Sequence, residues 1–155
     1  MKTRRILLKG LLLGASAVCI SGSSEAGAEP IAVIVNKANP SSALGASELR
    51  PIFQTSKTSW GGGEDALPLN LPEDNALRHE FDRTVLGLEP ERVARYWKDR
   101  KIRGGTRAPT QLSNTGAVLK AVAAKAGAVG YVKASEVNAT VKVVARIVGG
   151  KLVGP

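Results

Sequence analysis

The sequence predicts an α/β domain in which helices cover a mixed β-sheet. Two observations carry this prediction. Short apolar segments rich in β-branched residues are typical of buried strands, and longer segments with apolar residues three or four positions apart are typical of amphipathic helices. The two kinds of segment alternate along the chain, as they do in α/β domains.

The first half of the domain is predicted to contain a strand, a short helix and a second strand. Residues 31–36, IAVIVN, are almost entirely apolar, so we expect a central strand covered on both faces. The following helix is predicted to begin at Ser47 as its cap, with Pro51 near the first turn, where its missing N–H is tolerated. Residues 54–66 are polar and glycine-rich and predict a loop, and residues 67–71, LPLNL, predict the second strand.

Two amphipathic helices are predicted next. Over residues 74–87 the apolar residues Leu77, Phe81 and Val85 recur every four positions, which predicts one buried stripe with the charged residues on the opposite side. Pro90 suits the first position of the second helix, whose remaining surface is rich in lysine and arginine. The segment between this helix and residue 112 is predicted to be loop.

A third amphipathic helix, the fourth helix in all, and two strands complete the predicted domain, which spans residues 29–150. Ser113 is the expected cap of the helix, and Gly127 is expected to end it in a left-handed conformation. In the strand that follows, Gly130 permits close backbone approach, and Tyr131 is expected to cover the sheet while its hydroxyl reaches water. A last strand is predicted over TVKVVARIV, and residues 151–155 are predicted to form a loose C-terminal tail.

Residues 1–28 have the order of an export signal. Basic residues precede an uncharged apolar stretch over residues 10–20, and the small residues 26–28 offer a cleavage site. The apolar stretch is shorter than the ~20 residues that span a bilayer. Residues 3–9, TRRILLK, resemble the twin-arginine export motif, so export in the folded or the unfolded state stays open. We therefore expect a periplasmic or secreted protein.

The charge balance and the cysteine count restrict the partners and the chemistry. The chain has 22 basic and 13 acidic residues, and without residues 1–28 it has 18 basic and 12 acidic residues, a net charge of +6. A basic surface attracts anions, and export argues against nucleic acid. Small oxyanions, an acidic protein face or an anionic membrane surface remain as candidate partners.

The single cysteine, Cys19, lies in the predicted signal, so the domain has no thiol for catalysis or disulfides.

No constellation typical of an enzyme is recognisable, and we expect no catalytic activity, metal or cofactor. His79 is the only histidine and is predicted to be a solvated helix residue. The glycines at 61–63 lack the lysine and hydroxyl of a phosphate-binding loop and predict a turn after Trp60.

Helix starts are the better candidates for binding an anion, because their first backbone N–H groups have no partner within the helix. One candidate site is therefore the start of the third amphipathic segment, formed by Ser113, Asn114, Thr115 and Gly116. The start at Asn75 is less suitable, because the two preceding residues are acidic. Ordinary helix capping would use the same residue types at both places.

Three segments together resemble the phosphate-binding proteins of ABC transporters, which have the type II periplasmic binding fold. They are LRPIFQTSKTSW, VARYW and GAVLKAVAAKAGAVGYV, and they occur in the family's order over most of residues 31–137. The resemblance implies a single-lobe periplasmic-binding-protein-like domain, similar to the second lobe of the family. It also implies phosphate or another inorganic oxyanion as ligand and an ABC permease or other envelope protein as partner.

The sequence departs from this family where the ligand motif should lie. The family has an arginine and an aspartate followed by Gly-Ser-Gly-Thr at a helix start, whereas this chain reads NLPEDNALRHEF. The departure leaves two hypotheses. One is a solute-binding-like domain that binds an oxyanion weakly or together with a partner or a second copy of the chain. The other is an interaction or sensory accessory module that has lost the ligand site.

Overall fold

The computed structural model describes residues 28 to 155. Within that range one mixed sheet contains six strands, which are β1 (Ile31–Asn36), β2 (Leu67–Asn70), β3 (Thr110–Gln111), β4 (Ala128–Lys133), β5 (Val141–Val148) and β6 (Lys151–Val153). Their spatial order is β3-β2-β4-β1-β5-β6. The prediction of an α/β domain with a mixed sheet is therefore confirmed.

The central strands of the sheet are the apolar ones. Strand β1 lies between β4 and β5 and is antiparallel to both, and its first five residues are buried. Strand β2 is parallel to β4 on one side and to β3 on the other. The two residues of β3 lie in the segment that was predicted to be loop, because a two-residue strand is too short to produce an alternating pattern.

Four helices occur in the described range, and they are α1 (Ala46–Phe53), α2 (Ala76–Phe81), α3 (Pro90–Ile102) and α4 (Thr115–Ala124). All four predicted helical segments are present, but two of the predicted caps are wrong. Gly45 rather than Ser47 caps α1, and its N–H donates to the Glu48 carboxylate at 2.6 Å. Asn114 rather than Ser113 caps α4.

The helical segment after β2 differs from its prediction in both shape and burial. Helix α2 continues into a π-helical turn over Asp82–Leu86, which Gly87 ends in the left-handed conformation. Phe81 and Val85 are buried as predicted. Arg78 and Asp82 are buried as well, which corrects the expectation that every charged residue of this segment would face solvent.

The core also corrects two roles that the sequence suggested for the strand GAVGYV. Tyr131 is fully buried, and its hydroxyl donates to the side chain of Asn70 instead of reaching water. Helix α4 ends with Lys125 in an extended conformation, so Gly127 is not a left-handed stop; a Cβ at Gly127 would overlap the carbonyl oxygen of Asp65. Both differences arise from contacts with segments that are distant in sequence.

Gly130 has the role that was predicted for it. A Cβ at this position would lie 2.5 Å from the Cγ1 atom of Val118, which packs on the strand from α4. The absence of a side chain therefore allows α4 to lie close against β4.

The C-terminal residues are ordered, which corrects the prediction of a loose tail over 151–155. Residues 151–153 form strand β6 and pair with β5 in a hairpin. Gly149 and Gly150 connect the two strands, and both have positive φ angles, as a two-residue type I′ turn requires.

The core lies between the sheet and the helices, and its buried apolar residues run from Ile31 to Ile147. Residues 29–155 thus carry a continuous hydrophobic core and are expected to fold as one unit. None of the helices in the described range is long and apolar enough to cross a membrane. The predicted export signal lies almost entirely outside the described residues.

Candidate functional site

The carboxyl ends of three neighbouring strands define one edge of the sheet. Strands β3, β2 and β4 are adjacent and parallel, so their last residues point toward the same edge. Helix α2 follows β2, helix α4 follows β3, and a short 3₁₀ turn over Ala134–Glu136 follows β4. In open α/β sheets ligands bind outside the carboxyl ends of strands, so this edge of the sheet is the candidate ligand-binding region.

Backbone N–H groups at the start of α4 are available to a ligand. The Asn114 side-chain oxygen accepts from the N–H of Ala117 at 2.9 Å and thereby caps one of the helix's unpaired donors. Within residues 28 to 155, the N–H groups of Thr115 and Gly116 have no acceptor. Two neighbouring donors at the positive end of a helix can bind an oxyanion.

The side chains at this helix start are already engaged with one another. The Asn114 amide donates weakly to the hydroxyl of Ser113 at 3.4 Å. The Thr115 hydroxyl donates to a carboxylate oxygen of Glu136 at 2.8 Å, and the other oxygen accepts from the N–H of Lys133 at 3.2 Å. Glu136 therefore places a negative charge beside the start of α4, where it competes with any external anion.

Gly116 keeps the start of α4 open. A Cβ at this position would lie 3.2 Å from the capping oxygen of Asn114, which is closer than ordinary van der Waals contact. The glycine therefore permits the cap and leaves its own N–H unobstructed. The four residues predicted from the sequence, Ser113, Asn114, Thr115 and Gly116, lie together at one exposed helix start, but the contact with Glu136 was not foreseen.

The start of α2 has similar capping but different surroundings. The Asn75 side-chain oxygen accepts from the N–H of Leu77 at 2.9 Å. Glu73 and Asp74 are exposed just before it, so their charges oppose an anion there. The ring Nε2 of His79 lies 2.7 Å from the carbonyl oxygen of Glu73, so the half-buried histidine is hydrogen-bonded to its own segment rather than simply solvated.

The most unusual charged residues of this region are Arg78 and Asp82, one helical turn apart. Their side chains are 7% and 2% exposed, and the Nε of Arg78 lies 3.4 Å from Oδ2 of Asp82. Arg78 also donates to the carbonyl oxygen of Leu71, the first residue after β2, at 3.0 Å. The pair thus connects the π-helical turn to the carboxyl end of β2.

Burial raises the pKa of Asp82 to about 6, although the positive charge of Arg78 partly opposes that rise. One reason is that Oδ1 of Asp82 is buried without a hydrogen-bond partner in the described residues. Loss of hydration therefore outweighs the attraction of the single 3.4 Å ion pair. A cavity of about 200 Å³ adjoins the pair, and its other lining residues include Pro90 and Val93.

Beneath this edge a second buried polar group is fully paired. The hydroxyl of Tyr131 donates to the Asn70 side chain, whose oxygen also accepts from the N–H of Leu71 at 3.0 Å. Burial raises the pKa of Tyr131 above its ordinary value. Asn70 and Tyr131 thereby fix the last residues of β2, from which the segment leading to α2 departs.

Neither buried group was identified from the sequence as part of the site region. The spacing of Arg78 and Asp82 at i and i+4 does indicate an ion pair, because such residues are neighbours on a helix. The contact of Glu136 with Thr115 joins residues 21 positions apart and has no local signal. Among the described residues, no group of three or more histidine, cysteine, aspartate or glutamate side chains is arranged to hold a metal ion.

Comparison with known proteins finds the same fold in solved structures of phosphate-binding proteins. Neither a protein-family model nor a curated protein matches the sequence. Among solved structures, an ABC-type phosphate transport receptor from Vibrio cholerae is similar with a TM-score of 0.60 and 17% sequence identity, over 75% of this chain and 45% of that one. A candidate phosphate ABC transporter substrate-binding protein from Clostridium perfringens, solved with bound phosphate, is similar with a TM-score of 0.61 and 21% identity, over 75% and 44%.

A third similar structure comes from Planctomyces limnophilus and is described as that of a possible phosphate binding protein. Its TM-score is 0.54 at 17% identity, over 77% of this chain and 42% of that one. The chain thus spans less than half the length of each of these proteins. The comparisons show that the fold is shared with part of a phosphate-binding protein, which confirms the predicted periplasmic-binding-protein-like fold.

Proposed function

We propose that this protein is an exported, non-catalytic solute-binding module that takes an inorganic oxyanion such as phosphate at the start of α4. The observation that carries the proposal is the pair of free N–H groups of Thr115 and Gly116 at the carboxyl edge of the parallel strands. The shared fold with phosphate receptors supports the same assignment. Residues 1–28 act as the export signal, and the protein works in the periplasm or outside the cell.

Binding by this surface alone is weak. The helix start is exposed, so a bound oxyanion keeps much of its water, whereas tight sites bury most of a ligand's surface. The phosphate receptors to which the chain is similar are more than twice as long as the matched region. We therefore propose that a second surface completes the site, supplied by an ABC permease, another envelope protein or a second copy of this chain.

The first test measures the thermal unfolding of residues 29–155 in phosphate, sulfate and chloride at matched ionic strength. A specific ligand at about 100 times its dissociation constant adds about 2.7 kcal/mol to the free energy of unfolding. Phosphate or sulfate should therefore raise the Tm more than chloride does. Equal shifts with all three anions would leave only nonspecific charge effects and would refute the proposal.

Two substitutions of Thr115 separate its hydroxyl from its N–H. Thr115→Ala removes only the hydroxyl, whereas Thr115→Pro also removes the backbone donor. Thr115 is the first residue of α4 and follows Asn114 in an extended conformation, so proline is sterically acceptable there. We expect a larger loss of the oxyanion shift in the proline variant than in the alanine variant, because only proline removes one of the two N–H donors.

Matched controls change a serine and a threonine elsewhere. Ser113→Ala with Thr115→Ala should lower the oxyanion shift, whereas Ser42→Ala with Thr58→Ala should not, because the latter residues are exposed and far from α4 in sequence. An unchanged oxyanion shift in the Thr115→Pro protein would show that the ligand binds elsewhere.

A second candidate function is an interaction or sensory accessory module without a ligand. The carboxylate of Glu136 beside Thr115 favours it, together with the acidic pair Glu73 and Asp74 before α2. Glu136→Gln tests the two candidates against each other. If the site binds oxyanions, removal of this charge should strengthen the phosphate shift; if neither protein responds to any oxyanion, the interaction module is the better description.

A further inference from the structure

The positive charge of the domain is concentrated on one helix and the loop that follows it. Residues 90–108 contain seven basic and two acidic residues, a net charge of +5. The whole of residues 29–155 has a net charge of +6. Nearly all of the excess positive charge therefore comes from α3 and its following loop, and the rest of the domain is close to neutral.

Most of these cations have no acidic partner. In the described part of the chain the ion pairs involve Arg78, Arg83 and Lys133, and none involves a residue of α3 or the loop after it. Arg100 makes internal contacts: its guanidinium carbon lies 5.5 Å from the ring centre of Tyr96 and 5.9 Å from that of Trp97, and the group donates to Thr106. The other six, which are exposed to solvent, are Arg92, Arg95, Lys98, Lys101, Arg103 and Arg107.

A groove between α3 and the following loop combines part of this charge with an aromatic wall. Its volume is about 620 Å³, and its lining includes Trp97, Lys98, Lys101 and Arg107 together with one acidic residue, Glu73. Lys101 lies one helical turn from both Trp97 and Lys98, at i+4 and i+3, so the indole and the two ammonium groups line the same groove. We refer to this region, together with Ile102, as the α3 surface.

Ile102 is the most exposed large apolar residue of the described chain. Its side chain is 74% exposed, and it follows Lys98 by one helical turn. Only Val93 of α3 is fully buried, so the helix presents most of its circumference outward. The exposed part of the α3 surface is thus cationic, with one aliphatic side chain among the charges and an indole at the edge.

We propose that the α3 surface docks on an anionic phospholipid bilayer. Unpaired lysines and arginines near a membrane are attracted by the negative charge of the lipid headgroups. An indole and an exposed aliphatic side chain suit the boundary between headgroups and acyl chains. A protein partner is a poorer match, because the centre of a protein interface is depleted in lysine and enriched in apolar surface.

Membrane docking is independent of the proposed oxyanion site. The α3 surface and the start of α4 belong to different helices, and the substitutions that test one leave the other intact. The vesicle experiment uses residues 29–155, because they carry the complete hydrophobic core. They also exclude the apolar stretch of residues 10–20, which would itself bind lipid.

The test measures co-sedimentation with vesicles of phosphatidylcholine alone and with vesicles containing an equal amount of phosphatidylglycerol. Binding is expected to the mixed vesicles only and to weaken with added salt. Tryptophan fluorescence gives a second readout: Trp60 is buried and should not change, so a blue shift on binding reports on Trp97.

The decisive variant neutralises three cations of the α3 surface, as Lys98→Gln, Lys101→Gln and Arg107→Gln. Each cation near an anionic surface contributes a factor of about five, so the loss of three should lower the partition coefficient roughly a hundredfold. The matched control is Lys57→Gln, Lys120→Gln and Lys125→Gln, three exposed lysines outside the α3 surface with the same change in net charge. The control should retain nearly all of the binding.

Three outcomes would overturn the proposal. One is that the unmodified protein does not bind the mixed vesicles. The second is an equal loss in the α3 variant and its matched control, which would show that only net charge matters. The third is equally tight binding to double-stranded DNA at the same ionic strength, which would identify a general polyanion surface rather than a lipid-binding one.

Discussion

The starts of α2 and α4 are both capped by an asparagine side chain, but the charged residues beside them differ in sign and in burial. Each helix follows one of two adjacent parallel strands, and each has an asparagine cap, Asn75 or Asn114. At α2 the nearby cation, Arg78, is buried and paired with Asp82. At α4 the start is exposed and the nearest charged contact is the carboxylate of Glu136.

This difference separates a structural helix start from one that can take a ligand. The contacts of Arg78 and Asp82 hold the π-helical turn against the end of β2, so disturbing them should mainly affect stability. The groups at α4 support little of the core, so changes there should mainly affect binding. Substitutions at the two helix starts can therefore distinguish a loss of stability from a loss of binding.

Arg78→Met should destabilise the fold by about 3 to 5 kcal/mol at neutral pH, because it leaves the buried carboxylate of Asp82 without its cation. The measurement is the free energy of unfolding from chemical denaturation. Arg83→Met is the matched control, since Arg83 forms an exposed ion pair with Glu89 and its loss should matter far less. Similar effects of both substitutions would contradict a special role for the buried pair.

Stability should decrease as the pH rises through about 6. The carboxyl of Asp82 has an ordinary pKa of 3.8, and burial raises it to about 6 in the folded protein. The folded state therefore binds more protons than the unfolded chain between these two pKa values. The stabilisation that comes from protonated Asp82 is complete below the unfolded pKa and is lost as the pH rises through the folded pKa. The two values correspond to a change of about 3 kcal/mol.

The control for this pH dependence is Asp82→Asn, which cannot ionise. Subtracting the unfolding free energies of the two proteins at each pH removes the contributions of all other groups. The wild-type protein should lose stability relative to the variant between pH 4 and pH 7 by roughly 2 kcal/mol, since part of the total change lies below pH 4. A constant difference across this range would show that Asp82 does not titrate with a raised pKa.

The two caps should have smaller and nearly equal effects on stability. Asn75→Ala and Asn114→Ala each remove one side-chain bond to a helix N–H, at 2.9 Å in both cases, and should each destabilise by about 1 kcal/mol. Only Asn114→Ala should also weaken the response to phosphate in a thermal shift. If Asn75→Ala weakens that response equally, the starts of α2 and α4 do not differ as we infer.

The sequence predicts most of this fold because its local patterns agree with its tertiary structure. The strand over Ile31–Asn36 and the helix beginning at Pro90 are where their compositions place them. The pattern around Phe81 correctly identifies a buried stripe but not the burial of Arg78, because its i, i+4 spacing with Asp82 is equally typical of an exposed ion pair on a helix.

The candidate site is less predictable than the fold. Helix-start composition was enough to select Ser113 to Gly116, but capping and anion binding use the same residue types. The distinction depends on Glu136, which is brought to Thr115 by the pairing of β4 beside β2. The hairpin at Gly149 and Gly150 did have a local signal, since two glycines between β-branched segments favour a type I′ turn.

That hairpin has a consequence for the solubility of the protein. Strand β5 is rich in β-branched residues, and an exposed edge of such a strand would be a template for pairing with other chains. Strand β6 pairs with β5 from Arg146 to Val148, and the N–H of Leu44 donates to the carbonyl oxygen of Val144 at 2.9 Å. The edge left outermost is only three residues long and begins with a lysine, Lys151, so the hairpin protects the sheet from edge-to-edge aggregation.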